Sequence, residues 1–163
     1  MSTPQQEFLD VSRRFLKTDF MPRLVQCVKQ FTEEDLWWRP NESSNSAVNL
    51  ILHLCGNIRQ WIVEGLGGIP THRDRDSEFA TRGPLPKAAL LAQLDQAIAE
   101  VDGVLQGFSP DKLLDRHTIQ VYNVSSLQAV YHVVEHFSYH TGQILYIYKL
   151  RTGQDLKFYE DLE

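Results

Sequence analysis

The sequence predicts an all-α protein, a four-helix bundle with one long crossover between its second and third helices. Three observations point that way. Apolar residues recur at three- and four-residue steps through four long segments, the pattern of helices that bury one face. Helix start and stop signals bracket these segments, with Ser46 and Ser125 ahead of two of them and glycines behind. Strand-like alternation is confined to residues 117–122, too little for a sheet of its own.

In the first segment, residues 7–31, the helical repeat carries Phe8, Val11, Phe15, Leu24, Val25 and Val28. Pro22 lacks an amide donor and crowds the preceding turn, so a kink is expected there. Thr32, followed by Glu33, Glu34 and Asp35, caps a short turn that Pro40 ends. After a polar loop, Ser46 caps a second helix running through Asn49, His53, Asn57 and Trp61 to the Gly65-Leu-Gly-Gly68 stop. Residues 69–84 form a charged crossover holding Arg73, Arg75 and Arg82 with Asp74, Asp76 and Glu78. Pro86 suits the first position of a third helix, whose stripe is Leu91, Leu94, Ile98, Val101 and Leu105. Ser109-Pro110-Asp111 opens a short turn. Ser125 and Gln128 make a capping box for the last helix, which runs to about Arg151 before Gly153. Gly142 in its middle costs about 1 kcal/mol relative to alanine, and close helix packing is its expected reason.

That last helix places His132, His136 and His140 on one stripe with Ala129, Val133, Gln143 and Ile147, a partly apolar face that turns toward the core. A single histidine so placed is most simply a hydrogen-bonded core residue. Three in register favour a metal, because imidazoles four residues apart on one helix face are spaced as zinc ligands. One ion cannot use all three, since His132 and His140 are separated by roughly 12 Å of helix rise. Either His132 and His136 or His136 and His140 therefore pair, with His53 as the third ligand, because His72 and His117 lie in predicted loops. The face of His53 also bears Asn49, Asn57, Gln60 and Glu64, which reads as a solvated surface or as the wall of a wet cavity. Cys55 lies about 200° around that helix and belongs to the core.

Composition narrows the class. At 163 residues the chain is one domain, 1–163, with 42% hydrophobic and 23% charged residues, ordinary globular usage. Sixteen basic against 21 acidic residues give a net charge of −5, the wrong sign for a nucleic-acid partner. The N-terminus has no signal-peptide pattern and no stretch is long and apolar enough to span a bilayer, so a cytoplasmic protein without a membrane partner is expected. Cys27 and Cys55 are lone thiols without a CxxC motif. No Ser-His-Asp pattern, glycine-rich phosphate loop or carboxylate dyad stands out. Arg59, Arg73, Arg75 and Arg82 are candidates for a substrate carboxylate, with surface pairing to Asp74, Asp76 and Glu78 the favoured role. Trp37, Trp38 and Trp61 line either a pocket or the core.

Leu50-Ile-Leu-His-Leu-Cys-Gly-Asn-Ile-Arg-Gln-Trp61 and His136-Phe-Ser-Tyr-His-Thr-Gly-Gln-Ile144 give the sequence its resemblance to the DinB/YfiT-like superfamily. Trp37-Trp38-Arg39-Pro40-Asn41 and Arg75-x-x-Glu78-Phe79 extend it over nearly the whole chain. The resemblance implies a DinB-like four-helix bundle, often a homodimer, with one divalent ion, zinc or nickel, on His53, His136 and His140. It selects the His136/His140 pair and leaves His132 beside the site, with Asn57, Trp61 and Gln143 as supporting or pocket residues. Characterised relatives include enzymes that use low-molecular-weight thiols. A metal-dependent thiol S-transferase or hydrolase acting on a small molecule is the expected function, and a non-catalytic metal-binding or dimerisation module the alternative. No catalytic residue is assigned.

Overall fold

In the computed structural model, which describes residues 2–158, the first long helix is assembled from three pieces: α1 (Pro4–Arg14), a π-helical turn (Phe15–Phe20) and α2 (Met21–Gln30). It starts earlier than the periodicity implies, because the Thr3 hydroxyl accepts from the Gln6 N–H and caps a turn in which Pro4 needs no donor. The expected kink takes the form of the π turn. Pro22 falls in the first turn of α2, where its missing N–H is tolerated, and the wider turn just before it absorbs the crowding.

Thr32 caps α3 (Glu33–Trp37), and a complete Ser46/Asn49 capping box starts α4 (Ala47–Ile58). A second π turn, Arg59–Glu64, carries α4 on toward the glycine stop, where Gly68 adopts a φ of 68°. The crossover is more ordered than a charged loop. It contains α5 (Arg75–Ala80), capped by the Asp74 carboxylate accepting from the Ser77 N–H. Pro86 sits one residue before α6 (Lys87–Gly107), serving as its cap position and not as its first residue.

The strand-like stretch is half of a hairpin. β1 (Arg116–Ile119) pairs antiparallel with β2 (Tyr122–Ser125), Ile119 facing Tyr122 across a tight turn in which Gln120 has φ 55°. Ser125 both ends β2 and caps α7 (Ser126–Thr152) through a box with Gln128; Gly153, at φ 66°, closes that helix.

The bundle packs around α4, which lies against α5, α6 and α7. Ile51, Leu54 and Ile58 of α4 meet Leu94, Val133, Phe137 and Ile144 in one core with Leu24 and Phe31. Each such side chain contributes about 1.5–3 kcal/mol by leaving water. Ion pairs tie the outer turns together: Arg13 and Lys17 to Asp102, and Arg151 to Asp35. Gly142 does not mark a close approach. A Cβ there would meet nothing within 4 Å, so close helix packing is not the reason for this glycine. Among the described residues no helix is long and apolar enough to cross a membrane.

Candidate metal centre

Two helices and the crossover build one cluster. α4 supplies His53, with Asn57 one turn further on, and α7 supplies His132, His136 and His140 on successive turns. One ring nitrogen each from His53, His136 and His140 lies within 4.8 Å of the other two. His53 Nε2 and His136 Nε2 are 2.9 Å apart, and the His136 and His140 ring centres are 4.5 Å apart. His132 stands outside this convergence, its ring packed on Trp61 at 4.1 Å and its Nε2 3.5 Å from the Asn57 amide nitrogen.

The outer nitrogens are held as well. His53 Nδ1 lies 2.9 Å from Glu78 Oε2 and His140 Nδ1 lies 2.7 Å from Gln143 Oε1. Each acceptor keeps a proton on Nδ1 and leaves the Nε2 lone pair for the centre of the cluster. Arg73 grips Glu78 bidentately, with Nε donating to Oε1 at 2.7 Å and an NH2 group donating to Oε2 at 2.8 Å. The same guanidinium approaches His53 Nδ1 to 3.1 Å, but it can only donate, so the Nδ1 proton goes to the carboxylate.

Local sequence explains how Glu78 reaches this position. The Asn49 amide donates to the Glu78 and Thr81 carbonyls, fastening α5 to α4. Gly56 lets the carboxylate lie flat on α4, since a Cβ there would stand 1.9 Å from Glu78 Oε1. Burial on its own would raise the Glu78 pKa. Hydrogen bonds from Arg73 and His53 outweigh it and hold the carboxyl below its ordinary value, as the anion.

Burial, reinforced by neighbouring imidazoles and Arg73, pushes His136 down to about 3. It also lowers His132 and His140. These rings are neutral at pH 7, the form in which imidazole ligates. Three imidazole nitrogens at this spacing fit one divalent ion with metal–nitrogen bonds of about 2.0–2.1 Å. Theirs is the one grouping of this kind among the described residues.

A cavity of about 450 Å³ opens beside His53, His132 and His136, walled by Trp61, Tyr122 and Arg75. On the other side of the cluster, a cavity of about 520 Å³ reaches His140 and Gln143 past Trp38, Tyr139 and Tyr146. Of the polar face on this helix, His53 and Asn57 are buried and line the cavity and Asn49 is buried against the crossover, while Glu64 at its far end is exposed. His53, His136 and His140 converge, and Asn57, Trp61, His132 and Gln143 lie around them.

The arginines divide. Arg59 pairs with Glu100, and Arg82 donates to backbone carbonyls, both away from the cluster. Arg73 and Glu78 do pair, but their side chains are 4% and 9% exposed, so the surface reading fails for them. Their role had one sequence signal, the Arg75-x-x-Glu78-Phe79 element in the crossover. Cys55 is buried outside the cluster, and burial pushes its thiol up to about 12, where it is a poor nucleophile.

Comparison with known proteins gives a family and a fold. The family model described as "Protein of unknown function (DUF1572)" matches residues 4–159. Among solved structures, a conserved protein from Enterococcus faecalis superposes with a TM-score of 0.71 at 17% identity, covering 89% of this chain and 97% of that one. YjoA, a DinB-like protein from Bacillus subtilis, gives 0.68 at 16% identity over 92% and 97% of the two chains. A DinB-like protein from Bacillus cereus gives 0.64 at 13% identity over 84% and 88%. No curated protein matches. At these identities the likeness carries the fold, a DinB-like helical bundle.

Proposed function

The chain belongs to the DUF1572 family and has the DinB-like fold, and from that premise we propose that it is a single-domain, cytoplasmic, metal-dependent enzyme acting on a small molecule. Its reaction is transfer of a low-molecular-weight thiol to an electrophile, or hydrolysis. One observation carries the reading: three imidazole nitrogens converge with two of their outer nitrogens already tied, beside a cavity that admits a ligand.

His53, His136 and His140 would hold the ion, for which zinc and nickel both suit an all-imidazole set. A divalent ion on three neutral ligands keeps its full charge and an exchangeable position, and so acidifies a thiol or water bound there. The chain's own residues prepare for it. Glu78 and Gln143 fix the tautomers of His53 and His140, and Arg73 keeps Glu78 ionised. Trp61 and His132, their rings in tilted contact, flank the cluster on one side.

Protein purified without a histidine tag or added metal is expected to contain one zinc or nickel ion per chain. His53→Ala, His136→Ala and His140→Ala should each abolish tight binding, and His132→Ala should keep most of it; stoichiometric metal in His53→Ala rules the site out. In a cobalt-substituted sample a small thiol should change the ligand-field spectrum, and a panel of thiols and electrophiles then tests turnover.

A second reading, a non-catalytic metal-binding or dimerisation module, draws on the exposed Tyr131, Tyr139, Tyr146 and Leu150 of α7, which offer a surface for a homodimer. A cobalt spectrum indifferent to thiols, azide and pH, in a protein that sediments as a dimer, would select it.

A further inference from the structure

The chain carries a net charge of −5, yet the residues lining the cavity beside His53 and His136 include two arginines and no carboxylate. Arg73 is not available to a ligand, since Glu78 and Gln60 take its donors. Arg75 is different. Among the described residues no carboxylate lies within ion-pair distance of it, and its guanidinium rests over the Phe79 ring, 5.0 Å from the centroid. Phe79 in turn packs on His53, ring centre to ring centre at 4.7 Å. The free charge is therefore held no farther from the imidazole than the sum of those two separations, within the reach of a small molecule.

A second group in this cavity also lacks a partner. Asn57 is 5% exposed, lines the cavity one turn from His53, and its Oδ1 has no hydrogen-bond partner. Buried polar atoms normally have one. The Trp61 and Tyr122 rings, 6.1 Å apart and inclined by 31°, form an aromatic wall to the same cavity. A single planar guanidinium with free donors matches a carboxylate better than a larger polyanion, which would gather several free cations.

We propose that this cavity binds a small organic carboxylate, with its carboxylate on Arg75, its apolar or aromatic body along Trp61 and Tyr122, and an N–H or O–H donor directed to Asn57. The proposal deepens the function argued above and rests on it only for the chemistry at the histidine end; the preference for an anion comes from Arg75 and needs no metal.

Calorimetric titration of the full chain, both zinc-loaded and chelator-treated, with 4-hydroxyphenylacetate and with its neutral amide tests this. The acid should bind about tenfold more tightly than the amide, the size of one charge-assisted contact, in both metal states. Arg75→Gln should erase that preference, Arg75→Lys should keep part of it, and Arg82→Gln, a change in the same crossover outside the cavity, should leave it intact. Phenylacetate, which lacks the donor, should bind severalfold more weakly than the hydroxy acid to the unaltered chain, and the two should bind alike to Asn57→Ala.

Equal binding of acid and amide, a preference that survives Arg75→Gln, or no binding of either compound at millimolar concentration would overturn the proposal. A preference confined to the zinc-loaded form, and indifferent to Arg75, would also overturn it by assigning the carboxylate to the ion. An Arg75-dependent preference in a chain that takes up no metal would keep this inference and remove the proposed function; one ion per chain without the preference would do the reverse.

Discussion

Glu78 fixes where the proton of His53 sits, and Gly56 makes room for Glu78 to do so. Glu78→Gln keeps an acceptor for the Nδ1 proton but leaves Arg73 buried without its counter-ion. Breaking a buried pair in this way costs about 3–5 kcal/mol, so the melting temperature should fall. Loss of a carboxylate behind a ligating imidazole should weaken zinc binding by about 10–100-fold in competition with a chelator. Gly56→Ala should give the same loss of affinity while removing no polar group, because the new methyl displaces the carboxylate; unchanged zinc affinity in this variant would remove Glu78 from its role. The histidine stripe of α7 was legible in sequence because helix geometry converts a spacing of four into a shared face, while the resemblance chose His136 and His140 from it and matched His53 on the second helix. Glu78 and Arg73 were legible only as surface charges, not as a buried pair beside the histidines. A buried pair in a crossover follows no period, its charges resemble those of a solvated loop, and a helical glycine that clears space for another element looks like any other glycine.

At the level of the elements, capping chemistry set most helix starts where the sequence placed them, and the misses have local causes. Ser125 is both the end of β2 and the cap of α7, so the second strand was hidden under a helix signal. The irregularity expected at Pro22 lies in the residues just before it, as a π turn from which the helix runs on. Ser125→Ala should destabilise the protein by about 1 kcal/mol in urea unfolding, through loss of the cap to the Gln128 N–H. Gly142→Ala should act in the opposite direction. With open space around the new methyl and a helical backbone on either side, it should stabilise by up to about 1 kcal/mol. A decrease in the urea midpoint for Gly142→Ala would show that the glycine serves a contact beyond the single chain.

For the molecule as a whole, the ties between helices make stability depend on pH. Burial would raise the pKa of Asp102, but hydrogen bonds from Arg13 and Lys17 outweigh it and lower it below the ordinary carboxylate value; Asp35, bonded to Thr32 and Arg151, is lowered too. A carboxylate with a lower pKa folded than unfolded adds stability above the unfolded value, about 3.9 for aspartate, and loses it as pH falls through the folded value. The urea midpoint should therefore drop below about pH 4, and Asp102→Asn should lower the midpoint at neutral pH while making the acid decline shallower. His53 and His136 meet although 83 residues separate them along the chain. From the standpoint of the unfolded ensemble, an ion that keeps hold of both ties about half the polypeptide into a ring. Chain-entropy arithmetic for a permanent cross-link over such a span gives about 4–5 kcal/mol. Such a chain would begin refolding with α4 and α7 already neighbours, and the slowest search, the one between partners distant in sequence, would be over before it started.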